Sequence, residues 1–117
     1  MRPRDPRVYL HDIAQACELV LEFTKGKSFS DYASDPMLRA AVEREFEIMG
    51  EALRQALLCR EDLGERISQA DRVVAFRNRL IHGYATVSDE VVWGVVETGL
   101  PRLHEEVRAL LEEGVDK

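Results

Sequence analysis

Cysteine is scarce: Cys17 and Cys59 are the only two in 117 residues, and each falls within an apolar helical pattern. Two isolated cysteines make neither a disulfide framework nor a metal motif. Both read as small buried hydrophobes suited to a reducing cytosol. No apolar run is long enough to span a bilayer, and the charged start Met1-Arg2-Pro3-Arg4-Asp5-Pro6-Arg7 is followed by no apolar h-region, so no secretory signal is expected. A basic excess is missing too. Sixteen Lys and Arg stand against 22 Asp and Glu, a net charge of −6. That balance argues against broad attraction to nucleic acid, because phosphate binding rests on clustered Lys and Arg. It leaves room for a local basic site made of a few well-placed residues. The three histidines, His11, His82 and His104, are scattered singly and offer no convincing set of metal ligands, so neither metal nor other cofactor is expected. Internal repeats, low-complexity stretches and strand-like alternation are absent as well. The expectation is a cytoplasmic, single-domain chain (residues 1–117) with no membrane or DNA partner.

What is present is helical periodicity. Leu10, Ile13, Ala14, Cys17, Val20 and Leu21 recur at three- and four-residue spacing and predict a first helix over 8–24. Gly26 is placed to take a left-handed cap. A polar connection over 28–35, with room for one irregular helical turn, leads to Asp35-Pro36, an N-cap followed by proline at the first helical position. A second apolar stripe then runs from Leu38 through Met49 and Leu53 to Leu57, giving a helix over 36–59. Gly50 interrupts it, and a small residue there would let a neighbouring helix approach closely. A third helix is predicted over 70–82 with Gly83 as its stop. A fourth starts after the N-cap Ser88, carries Val91, Val92, Val95 and Val96, and meets Pro101, which forces a kink or break. Short loops between amphipathic helices imply an all-α, antiparallel bundle of four main helices, the last kinked near Pro101.

The chemically informative segment is Phe76-Arg77-Asn78-Arg79-Leu80-Ile81-His82-Gly83-Tyr84. At about 100° per residue, Val73, Val74, Phe76, Leu80 and Ile81 define a buried face, and Arg77 projects from its middle. A guanidinium cannot shed its charge there, so it needs a carboxylate, a phosphate or water. One reading is a structural ion pair with Glu47 or Glu51 of the second helix; the other is an arginine lining a cleft, free to meet a phosphate. His82 lies about 140° round the helix from Arg77, in the last turn, where a histidine also meets the helix dipole favourably. Asn78 sits one turn before it, on a similar bearing.

Arg77, four residues, then His82 matches the Arg-x4-His motif of HEPN domains, and His82-Gly83-Tyr84 matches the His-x-Tyr extension of HepT-like toxins. The chain resembles that family over nearly its whole length. Asp12-Ile13-Ala14-Gln15-Ala16 looks like the opening helix. Ile48-Met49-Gly50-Glu51-Ala52 resembles the second, where a Gly-Glu-Ala triplet is typical. Val91-Val92-Trp93 and Leu100-Pro101-Arg102-Leu103 resemble the closing helix. It departs before the signature helix, where Glu65 to Asp71 replaces a Pro-x-Ile-Pro-Trp stretch found in many members.

The resemblance implies a fold, a chemistry and partners. It implies a HEPN-like bundle that forms a homodimer, bringing two Arg-x4-His motifs to one cleft. It further implies a metal-independent endoribonuclease acting on RNA, with His82 as acid or base, Arg77 on the phosphate and Asn78 orienting either group or the substrate. The implied partner is a nucleotidyltransferase antitoxin that transfers AMP to Tyr84 and silences the toxin. The added phosphate would then contact Arg77 or Arg79. Tyr84 read alone is an aromatic packing at a helix end. A second reading, favoured by the acidic net charge, is a non-catalytic helical dimer that binds and positions the nucleotidyltransferase.

Overall fold

The computed structural model describes residues 5–83 and 87–114, and these build an all-α bundle. The first helix, α1 (Pro6–Thr24), begins two residues earlier than the periodicity predicts, because Asp5 caps it through a 2.9 Å bond from the Arg7 amide and Pro6 opens the first turn. It buries Leu10, Ile13, Ala14, Cys17 and Val20, and Gly26 just beyond it has φ of 74°. The 28–35 connection holds a real helix, α2 (Phe29–Ser34), closed by a capping box between Ser28 and Asp31. Next comes α3 (Pro36–Cys59), where the Asp35 carboxylate accepts from the Met37 and Leu38 amides. A short α4 (Leu63–Arg66) leads to α5 (Ala70–His82), which stops at Gly83 with φ of 59°.

The last helical run does not break at Pro101. It proceeds as α6 (Asp89–Gly94), a wide π turn over Val95–Gly99, and α7 (Leu100–Glu113). Proline lacks the amide its turn requires and clashes with the carbonyl four residues back, and widening the preceding turn accommodates both defects. The expected kink is thus a π segment immediately before the proline.

Helix α3 is the spine of the bundle: α1 packs along one side of it and α5 along another, while α7 covers α1. Cys17 is fully buried, and burial pushes its thiol up to about 12, so it is an inert packing group. Cys59 is only half-buried, contrary to the sequence reading, because it is the last residue of α3. In place of a Pro-x-Ile-Pro-Trp stretch, the approach to α5 is secured by buried Leu63 and Ile67, an Arg66–Glu113 ion pair and a 3.1 Å bond from the Ser68 amide to Glu106.

Tyr32 of α2 is 0 % exposed and stacks on Trp93 with ring centroids 5.4 Å apart. Its hydroxyl has no hydrogen-bond partner among the described residues. Burial, reinforced by Glu43 and Asp89, pushes the phenol well above its ordinary range. A buried hydroxyl without a partner costs more than the phenyl ring that would replace it. Tyr32→Phe is therefore expected to raise the unfolding free energy by about 1 kcal/mol in urea denaturation; a loss of similar size would reveal a partner for the hydroxyl.

The expectation of a buried face on α5 fails in degree. Ala70 is the only buried residue of this helix; Val73, Val74, Phe76 and Leu80 are half-covered and Ile81 is 45 % exposed. The apolar bearing is right, but among the described residues α3 is the only helix in extensive contact with α5, which leaves that face half-covered.

Candidate active site

The site begins at a glycine. An added Cβ at Gly50 would lie 2.1 Å from Arg77 Cβ and 2.7 Å from its Cγ, so only glycine lets α5 lie this close to α3. The close approach seats Arg77 against α3, where its side chain remains 22 % exposed. Of the two carboxylates the sequence offers, Glu51 is the partner: Arg77 Nη2 lies 3.2 Å from Glu51 Oε1, while Glu47 pairs with Arg44. Arg77 Nη1 donates to Asn78 Oδ1 at 2.9 Å, and Arg77 Nε is buried with no acceptor among the described residues.

Glu51 is itself held from its own helix. Arg54 donates through Nε at 3.1 Å and Nη2 at 3.0 Å, and Gln55 Nε2 donates at 2.9 Å. Those hydrogen bonds, Arg54 first and then Gln55, hold the Glu51 carboxyl down to about 2, with a smaller pull from the charges of Arg54 and Arg77. The carboxylate is therefore ionised at every pH at which the protein would work. This hub was missed in the sequence, although Glu51, Arg54 and Gln55 stand at the i, i+3, i+4 spacing that puts side chains side by side on a helix.

The structure brings Arg77 and Asn78 together by a direct bond. It does not join His82 to them. His82 is the last residue of α5 and is exposed, with no hydrogen bond or ion pair among the described residues. Tyr84 lies outside the described residues. Arg79 is exposed on a third bearing, lining an open groove of about 520 Å³ between α5 and the π-bulged last helix, together with Val73, Phe76, Val95 and Arg102. On the opposite flank, Arg77 opens onto a cleft of about 290 Å³ whose walls include Tyr9, Asp12, Glu47 and Ile81. Among the described residues no three His, Cys, Asp or Glu side chains gather as a metal site would require, and no helix is long and apolar enough to cross a membrane.

An arginine bonded to its own asparagine neighbour and packed on a second helix, with an exposed histidine five residues on, sits in a small all-α bundle. The comparisons identify the family. Residues 13–110 match the family model "Ribonuclease HepT-like". A protein of Caldanaerobacter subterraneus, provisionally named an RNase, is 33 % identical over 112 residues, covering 94 % of this chain and 97 % of its own length. A provisionally named ribonuclease HepT of Thermococcus cleftensis is 36 % identical over 100 residues, covering 86 % and 90 %. A provisionally named RNase of Methanocaldococcus jannaschii is 33 % identical over 109 residues, covering 92 % and 97 %. No solved structure matches the chain. The chain belongs to the HepT-like family.

Proposed function

We propose that this protein is the toxin of a HEPN/nucleotidyltransferase toxin–antitoxin pair: a metal-independent endoribonuclease neutralised by AMP transfer to Tyr84. The observation that carries the reading is the Arg77–Asn78 pair seated on α3 one turn before an exposed, uncommitted His82, in a chain of the HepT-like family. Imidazole titrates near neutrality and can take the proton of a ribose 2′-hydroxyl. The 2′-oxygen then attacks the adjacent phosphorus, the 5′-oxygen leaves with a proton, and fixed positive charge from Arg77 stabilises the pentavalent transition state.

Within one chain, Arg77 packs inward on α3 while His82 faces outward, so a single copy does not converge them on one phosphate. The half-covered apolar residues of α5 supply a reason for a second copy to dock there. A homodimer with the two α5 helices near its two-fold axis would bring two motifs to one shared cleft. AMP transfer completes the cycle: the Tyr84 hydroxyl attacks the α-phosphate of ATP, pyrophosphate leaves, and the new phosphate is held by Arg77 or Arg79.

A second reading has one observation in its favour. The cleft onto which Arg77 opens is lined by Asp12, Glu47 and Glu51 against Arg44 and Arg77, an acidic balance that suits a protein partner better than RNA. Under that reading the chain is a non-catalytic dimer that binds and positions the nucleotidyltransferase. The purified protein is expected to sediment as a dimer and to cut RNA in the presence of EDTA. After incubation with the neighbouring nucleotidyltransferase, ATP and magnesium, intact-mass analysis should show AMP added at Tyr84 and cutting should cease. A stable complex with neither cleavage nor mass shift would establish the second reading instead.

A further inference from the structure

We propose that Glu51 is a positioning residue for Arg77, gripping the guanidinium so that its outer edge is presented to a phosphate; this rests on the ribonuclease reading of the same site. Arg54 and Gln55 fix the Glu51 carboxylate from within α3, three and four residues on, so its geometry is set by α3 alone and does not depend on α5. When α5 docks against Gly50, Arg77 Nη2 meets Oε1 at 3.2 Å and Nη1 meets Asn78 Oδ1 at 2.9 Å. Each terminal nitrogen carries two hydrogens; Nη1 has given one to Asn78, while Nη2 is held beside Glu51 by charge. Among the described residues the other terminal hydrogens make no hydrogen bond, which leaves them for the two oxygens of a phosphate that a guanidinium can bind at once. The stem cannot shift to escape this arrangement, because its Cβ lies against Gly50. Its Nε is buried without an acceptor among the described residues, a cost the fold bears while holding the head group in place.

Charge supports the same role. Arg54 and Arg77 share one carboxylate, so the three ionised groups together keep one positive charge. An isolated ion pair would have cancelled it. Glu51 thereby orients Arg77 without silencing it.

The test is the kinetics of Glu51→Ala and Glu51→Gln, measured well below their unfolding temperatures. The clamp requires kcat for RNA cleavage to fall about tenfold or more in Glu51→Ala, the size expected when a phosphate-holding group loses its geometry, with KM unchanged or lower. Glu51→Gln keeps an acceptor oxygen for Arg77 and should recover part of the loss. A carboxylate that merely competes with phosphate would leave kcat intact and lower KM. One that serves stability alone would move neither constant in the folded enzyme. Either result overturns the proposal. A second readout needs no cleavage. The Arg77 guanidinium resonances, identified by their loss in Arg77→Lys, should show hindered rotation in the wild-type protein and free rotation in Glu51→Ala. Free rotation in both proteins would overturn the clamp. If the wild type cuts no RNA while its guanidinium is hindered, the ribonuclease reading fails and the clamp stands.

Discussion

Alanine in place of Gly50 is expected to destabilise the protein by about 3 kcal/mol, even though alanine suits a helix interior better than glycine by about 1 kcal/mol. The new methyl would lie 2.1 Å from Arg77 Cβ and 3.3 Å from the Val73 carbonyl oxygen. Neither neighbour is the far end of a flexible side chain. Both are fixed to the α5 backbone, so relief requires the two helices to separate, and α3 is the main support of α5. The same motion would draw Arg77 away from Glu51 and take the site apart. Gly94→Ala is the control: its methyl would meet nothing within 4 Å, and the backbone there is helical. That variant should gain roughly 0.5–1 kcal/mol. Chemical denaturation of both variants reads the contrast, and two stabilised proteins would show that α5 does not rest on α3 at this register.

Gly50 also shows what kind of information the sequence carries. A glycine inside an otherwise sound helical stripe signals close approach, and the close approach is there, with Arg77 as the neighbour. Helix ends marked by local chemistry were equally legible: Asp35-Pro36, Ser88 and Gly83 act within one turn of themselves. Helix α2 was legible only as room for one helical turn, and α4 not at all, because six and four residues cannot sustain a helix alone. They persist through anchors buried elsewhere in the bundle, Tyr32 against Trp93 and Leu63 beneath α3. The openness of α5 was hidden for a different reason. A helical wheel gives the bearing of apolar residues and is silent on whether anything covers them. Around the candidate site, motif spacing singled out Arg77, Asn78 and His82 but left Glu47 and Glu51 equivalent as partners for Arg77. The choice fell to Glu51 because it follows Gly50 directly, at the point where the two helices touch.

His82→Ala should lower RNA cleavage by about a thousandfold, the middle of the range for losing a general acid–base group, and leave stability within about 0.5 kcal/mol, as expected of an exposed chain-end residue. Arg77→Ala should cost as much activity and in addition about 1–2 kcal/mol of stability, since it removes a half-buried stem packed on Gly50. Glu51 would then retain Arg54 and Gln55, which keeps the loss below that of an orphaned buried charge. Mixing the two inactive proteins asks more. The two side chains leave one helix about 140° apart, so in the proposed dimer Arg77 of one copy serves the phosphate attacked under His82 of the other. A mixed dimer then contains one complete pair. With free exchange half of the dimers are mixed, and each has one of its two sites intact, so activity should return to about a quarter of wild type. No recovery, with exchange verified by mass spectrometry, would place both groups of each site on one chain. Cleavage that EDTA abolishes would remove the proposed mechanism altogether, because imidazole and guanidinium chemistry has no use for a metal ion.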